Sequence, residues 1–168
     1  MSRRVLNAGI GNIFQSDDAF GVEVANRLAA RTLPPGVRVE DFGIRGVHLA
    51  FELLEGYDGL VLIDAIPLGE PPGTLAVIEP DADTLDRNGN DESPMVDAHA
   101  MNPTVVLATL ARLGGSVGKI LIVGCQPANV QEGMGLTPAV AAAVDQATQL
   151  CCELVSQMVE PVTKGACA

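Results

Sequence analysis

Three side chains that can bind a metal stand where the sequence predicts that buried elements begin or end. Asp18, with Asp17 beside it, precedes the first predicted helix, Asp64 ends a continuous apolar run, and His99 precedes a later predicted helix. A carboxylate at the end of a buried strand needs a metal, a cation or several hydrogen-bond donors as its partner. Two carboxylates and an imidazole suit a divalent transition metal. The same residues also have ordinary structural interpretations: a helix cap for Asp17 or Asp18, loop amides as partners of Asp64, and a surface or capping role for His99.

The elements that must position these residues alternate along the chain between short apolar strands and amphipathic helices. Strands are predicted at residues 5–8, 37–41, 60–63, 74–78 and 120–123, and helices after residue 18, at 47–54, from 103 and from 138. The fourth strand follows the third after only residues 67–73, which is too short for a parallel crossover. It is therefore expected to run antiparallel, at an edge. The pattern predicts a three-layer α/β/α sandwich, with helices on both faces of a mixed five-stranded sheet.

The spacing of apolar residues also predicts which face each helix buries. The expected buried residues are Phe20, Val24 and Leu28, then Val47, Phe51 and Leu54, then Val106, Leu110 and Leu113, and in the last helix Val140, Val144, Ala147, Cys151, Leu154 and Met158. Residues 1–160 are expected to form one domain, followed by a loose tail at 161–168. Residues 79–98 form a long acidic loop, of a length that is often functional or mobile.

In sheets of this kind, binding sites lie beyond the carboxyl ends of the strands, where the strand order reverses. Asp18, Asp64 and His99 are all expected at that edge. Cys125 ends the fifth strand at the same edge. As a nucleophile it would need a base such as His99 within reach. We favour the more common behaviour of a free cysteine, that of a small buried hydrophobe.

The composition excludes several other classes of protein. The 168 residues carry 21 acidic and 10 basic side chains, a formal net charge of −11, which is poorly suited to binding a nucleic-acid backbone. A hydrophobic content of 48% is too high for global disorder. The longest apolar runs are far short of the roughly 20 residues of a membrane span. The four cysteines form no C-x-x-C pair. We expect a cytoplasmic protein without nucleic-acid or membrane partners.

One alternative is a nucleotide-binding α/β domain. Gly9-Ile10-Gly11 follows a strand and leads to a helix, as in dinucleotide-binding loops. The third glycine of that fingerprint is absent, because position 14 is Phe. Two aspartates also precede the helix, where an anionic pyrophosphate needs positive potential. The sequence therefore disfavours a nucleotide-binding domain, which stays open as an alternative.

Six ordered segments resemble the maturation endopeptidases of nickel–iron hydrogenases. They lie at residues 9–21, 41–46, 63–66, 97–99, 124–127 and 133–138, within a similarity that covers about residues 5–155. Each segment alone is a weakly specific motif, but the six segments in this order are specific for the family. The resemblance implies the α/β/α fold with one antiparallel strand. It also implies an endopeptidase that removes a C-terminal extension from the hydrogenase large-subunit precursor.

The resemblance places the nickel-contacting set on Asp18, Asp64 and His99, which would be both the catalytic and the metal-binding residues. The first of these is often Glu in the family. Aspartate is one methylene shorter and its reach differs, so Asp17 is an alternative to Asp18. The nickel would arrive in the precursor, with no permanent cofactor in the protease. It would act either as a recognition element or as a catalyst that polarises the scissile carbonyl or activates water.

Two further features follow from the resemblance. Gly43 to Gly46 would shape the wall of the adjoining groove. The acidic loop from Glu79 to Asp97 would either close over the substrate or remain a solvated surface loop. A second hypothesis keeps the same three residues in a catalytically silent metal-binding module, which cleavage of a precursor would distinguish from the protease.

Overall fold

The computed structural model describes residues 3–80 and 103–160, and its strands form one mixed five-stranded sheet. The strands are β1 (Val5–Ile10), β2 (Val37–Gly43), β3 (Gly59–Ala65), β4 (Leu75–Ile78) and β5 (Lys119–Cys125). The helices are α1 (Phe20–Ala29), α2 (Gly46–Leu53), α3 (Pro103–Arg112) and α4 (Pro138–Val159), and a short 3-10 helix (Ser16–Ala19) precedes α1. The strand order is β2-β1-β3-β5-β4, with β4 antiparallel to β5 at one edge. The predicted element order and antiparallel edge strand are confirmed.

Two apolar cores, one on each face of the sheet, hold the layers together. Val5 belongs to the core under α1 and α4, while its neighbour Leu6 belongs to the core under α2 and α3. Successive residues of a strand point to opposite faces, so β1 and β3, buried on both sides, are the central strands. Residues 59–64 of β3 are all buried. The continuous apolar run at residues 60–63 is therefore explained by the burial of β3 on both faces of the sheet.

The helices bury the predicted faces with three corrections. The buried face of α2 is Leu49, Ala50 and Leu53, and the predicted face is exposed, with Phe51 at 53%. The prediction was wrong because this eight-residue helix is apolar on two sides, so spacing alone does not identify the inner one. Leu113 lies beyond the end of α3 and is exposed. In α4, Val155 is buried and Leu154 only partly so, whereas the other predicted positions are confirmed.

The end of β1 also differs from the prediction. The strand continues through Gly9 to Ile10, Gly11 follows it at φ +146°, and the turn lies at Ile13 and Phe14. A Cβ on Gly9 would overlap the carbonyl oxygen of Gly21 and the side chain of Ala25. Gly9 therefore marks a close approach of α1 to the sheet rather than a chain reversal.

Several predictions lie outside the described residues. They are His99, the part of the acidic loop beyond Pro80, and the tail at 161–168. Among the residues that the structure does describe, no helix has the length and apolar character needed to cross a membrane.

Candidate functional site

The site lies where the chain changes direction across the sheet. β1 is paired on one side with β2 and on the other with β3, so the strand order reverses between β1 and β3. All three strands are parallel, and their carboxyl ends share one edge of the sheet. Asp18 follows β1 in the 3-10 helix, and Asp64 is the penultimate residue of β3. The structure therefore brings two of the three predicted residues to one edge.

A close helix–strand contact brings the two carboxylates together. A Cβ on Gly21 would overlap the carbonyl oxygens of Ile63 and Ile10, so the first turn of α1 rests directly on the ends of β3 and β1. Asp18 lies three residues before Gly21, and Asp64 follows Ile63. Only glycine allows the backbones to approach this closely.

The electrostatics of the pair favour a cation. Asp64 is 6% exposed. Burial raises its pKa well above the ordinary value, the charge of Asp18 raises it further, and a hydrogen bond from the Ala65 amide offsets part of the effect. Burial also raises the pKa of Asp18, against a hydrogen bond from the Asn12 amide at 2.8 Å. A positive ion between the two carboxylates would relieve both burial and repulsion.

The neighbouring Asp17 has a different environment. It is 0% exposed, and its carboxylate accepts hydrogen bonds from the amides of Ala128, Asn129 and Thr137 and from the Thr137 hydroxyl. Burial alone would raise its pKa, but the bonds from Thr137, Asn129 and Ala128 outweigh it and hold the pKa below its ordinary value. Both oxygens are occupied by protein donors, so the geometry favours Asp18 over Asp17 as the residue free to contact a metal. Neither aspartate makes a helix-capping bond through its side chain in the first turn.

A groove of about 280 Å³ reaches Asn12, whose amide donates to Asp18. Its lining residues are Gly11, Asn12, Ile13, Phe14, Val22, Asp41, Gly43, Ile44 and Arg45. The wall at 41–45 is held internally, because Asp41 accepts a bond from the Gly43 amide at 2.7 Å and Arg45 donates to the Asp41 carbonyl at 2.7 Å. Of the wall predicted from Gly43 to Gly46, the first three residues line the groove and Gly46 begins α2.

The third predicted ligand, His99, lies outside the described residues. Within residues 3–80 and 103–160, no group of three histidine, cysteine, aspartate or glutamate side chains is arranged to hold a metal. Of the predicted set, the structure describes the two carboxylates. The other histidine, His48, is exposed on α2.

The geometry supports neither of the two alternatives, a cysteine nucleophile at Cys125 or a nucleotide-binding loop. Cys125 is fully buried in the core, and burial together with the charge of Asp17 raises the pKa of its thiol to about 11, so it remains a protonated thiol at neutral pH. The amides of Gly11 and Asn12 donate to Gly43 and Asp18, so they are not available to a pyrophosphate. The nucleotide-binding interpretation therefore loses the donors on which it depends.

Comparison with known proteins gives a single answer. The family model described as hydrogenase maturation protease matches residues 22–154. The chain is 35% identical to the hydrogenase expression/formation protein HupD of Rhodobacter capsulatus, over 97% of this chain and 76% of that protein. It is 32% identical to the hydrogenase 2 maturation protease of Escherichia coli, over 87% of each. The structure of the hydrogenase maturating endopeptidase HybD from E. coli aligns with a TM-score of 0.75 and 30% identity, covering 92% of this chain and 93% of that one. The chain therefore belongs to the family of hydrogenase maturation proteases, endopeptidases that act on peptide bonds.

Proposed function

We propose that this protein removes a C-terminal extension from the large-subunit precursor of a nickel–iron hydrogenase once nickel has been inserted. The observation that carries the proposal is the Asp18–Asp64 pair at the strand switch point, in a chain of this family. Two carboxylates that oppose each other's ionisation bind a cation favourably. Nickel presented by a loaded precursor is such a cation.

In this proposal Asp18, Asp64 and His99 contact the nickel held by the precursor, so the metal belongs to the substrate. Contact with nickel docks the scissile segment beside the carboxylates and distinguishes a loaded precursor from an empty one. Peptide hydrolysis then needs a water that attacks the scissile carbonyl, and the Asp18–Asp64 pair lies beside it. One carboxylate would take the proton of that water, and the protonated acid would return it to the leaving amine as the peptide bond breaks, in the manner of an aspartic-type site. The groove at Gly11–Phe14 and Gly43–Arg45 holds the polypeptide leading to the cleaved bond.

A cytoplasmic location belongs to the same proposal. Support comes from the free thiols of the described cysteines Cys125, Cys151 and Cys152, which suit a reducing compartment.

The test is intact-mass analysis of a cognate large-subunit precursor after incubation with the protein. The nickel-loaded precursor should lose a C-terminal peptide, and the nickel-free precursor should not. His99→Ala and Asp64→Asn should each abolish the mass change. If the loaded precursor stays intact while a reference maturation protease cleaves it, the protease assignment fails for that partner and the silent metal-binding module replaces it.

A further inference from the structure

The buried carboxylate of Asp17 has no part in the proposed chemistry, yet it is the most heavily hydrogen-bonded acid at this edge of the sheet among the described residues. The Thr137 amide donates to Oδ1 at 2.7 Å, and its hydroxyl donates to Oδ2 at 2.8 Å. The amides of Ala128 and Asn129 donate to Oδ2 at 2.9 and 3.0 Å. All of these donors lie on the connection between β5 and α4.

Backbone bonds join the same two segments. The Ser16 amide donates to the Gly133 carbonyl at 2.9 Å, and the Gly133 amide donates to the Phe14 carbonyl at 2.8 Å. The Asp17 amide donates to the Asn129 carbonyl at 2.9 Å. Ser16 has φ +52°, a left-handed conformation that a non-glycine residue keeps only where its surroundings impose it. The 126–137 connection therefore holds the chain from Phe14 to Asp17, where the 3-10 helix begins, in one fixed conformation.

The geometry of the 3-10 helix links Asp17 to Asp18. Such a helix has three residues per turn, so adjacent side chains point about 120° apart. Asp17 points to the β5–α4 connection, while Asp18 accepts a bond from Asn12 and acts electrostatically on Asp64. Fixing the first carboxylate fixes the rotation of the helix, and thereby the direction of the second.

We propose that Asp17 is a positioning residue whose bonds to the 126–137 connection aim Asp18 at Asp64 and at the incoming nickel. The proposal rests on the function proposed above, because Asp18 acts there on nickel carried by the precursor. It predicts that loss of these bonds weakens the distinction between nickel-loaded and nickel-free precursor, which a purely structural role would not affect.

The experiment uses the full chain and a cognate precursor in both forms. The variants are Asp17→Asn, which replaces one acceptor oxygen by a donor, and Thr137→Val, which removes only the hydroxyl bond. Thr137→Ser restores that hydroxyl. Asp145→Asn removes an exposed carboxylate on α4 that pairs with Arg27, and serves as the charge-matched control. Each is measured for kcat, for KM, for the ratio of its affinities for the two precursor forms, and for the folded fraction at the assay temperature.

For folded Asp17→Asn we expect kcat/KM on the loaded precursor to fall about 10- to 100-fold, the range that a misplacement of roughly 1 Å produces. The preference for loaded precursor should fall towards one. Thr137→Val should change both quantities in the same direction by a smaller factor, and Thr137→Ser and Asp145→Asn should match the wild type.

Wild-type selectivity and kcat/KM in the folded variants would overturn the positioning role while leaving the protease assignment intact. If Asp17→Asn does not fold, the Thr137 pair decides by the same criteria. A wild-type chain that cleaves neither precursor would instead overturn the proposed function, and this assignment with it.

Discussion

Gly21 lies directly against the carbonyl oxygen of Ile63, so the first turn of α1 meets the end of β3 with no room for a side chain. In an unobstructed helix, alanine in place of glycine would add about 1 kcal/mol of stability. Here the added methyl overlaps backbone atoms, so we expect Gly21→Ala to destabilise the fold by about 1–3 kcal/mol. It should also reduce processing, because Asp18 would move away from Asp64. Denaturant titration measures the first effect and intact-mass kinetics the second.

Asn26→Ala, at an exposed position of the same helix, is the control and should leave both quantities close to wild type. A Gly21→Ala variant as stable as the wild type would show that the contact is not tight.

Asp64 should make the protein less stable as the pH rises. Its folded-state pKa is raised, so between about pH 4, where an unfolded aspartate titrates, and that raised pKa the folded state binds more protons than the unfolded state. Stability therefore falls through this window, by about 1.4 kcal/mol for each unit of pKa elevation. Asp64→Asn removes the titration, so the variant should be more stable than the wild type at neutral pH. The two should converge below about pH 4, where the wild-type carboxyl is protonated in both states.

Urea titrations across the pH range give the comparison. Equal stabilities at all pH values would contradict the elevated pKa.

Asn7 is the clearest site for stabilising the chain. It is fully buried in β1, and both polar atoms of its amide lack hydrogen-bond partners among the described residues. Its neighbours across the sheet are Val39 and Val61. Asn7→Val should raise the free energy of unfolding by about 1–2 kcal/mol, since it removes an uncompensated desolvation cost. Asn7→Asp, which buries a charge, should do the opposite. A shift of the thermal midpoint downward in Asn7→Val would contradict this account.

Two exposed apolar side chains beside the site are candidates for substrate contact. Phe14 is 60% exposed and Met134 is 72% exposed, on segments that the Gly133–Phe14 backbone bond holds together. If the precursor docks on this surface, Phe14→Ala and Met134→Ala should each raise KM about 5- to 10-fold, the effect of losing about 1–1.4 kcal/mol of contact energy, with kcat unchanged. Val77→Ala, at an exposed apolar position of the edge strand β4, is the control. Unchanged KM in both variants would place the precursor elsewhere.

Cys125 should be dispensable for catalysis. Its thiol is buried, with a pKa of about 11, so the thiolate needed for nucleophilic attack is scarce at neutral pH. Cys125→Ala should keep kcat/KM within about twofold of wild type when measured on the folded fraction. A loss of activity in a fully folded variant would restore the thiol as a functional group.

Much of the architecture follows from the sequence because its causes are local. Continuous apolar runs identify the central strands, and the short connection between residues 65 and 75 forces β4 to be antiparallel. Prediction failed where two local causes give the same pattern. The eight residues of α2 have two apolar sides, and a glycine such as Gly9 is equally compatible with the end of a strand and with a close helix contact inside it.

The site was predictable to the extent that it follows the topology. Asp18 and Asp64 lie at the switch point because strand ends converge there. The hydrogen bonds of Asp17 could not be predicted, because three of its donors are backbone amides that lie 111–120 residues away and carry no side-chain signature. His99 remains a prediction.

The bonds of Asp17 also set an order of events during synthesis. The carboxylate leaves the ribosome long before Thr137, its partner 120 residues further along the chain. At about 5–20 residues per second, that interval lasts roughly 6–24 s. During this time Ser16 has no carbonyl at Gly133 to hold its left-handed conformation. If Asp17 positions Asp18 as proposed, the nascent chain carries both carboxylates without a working arrangement of them, and proteolytic competence is expected only when the last helix begins to form.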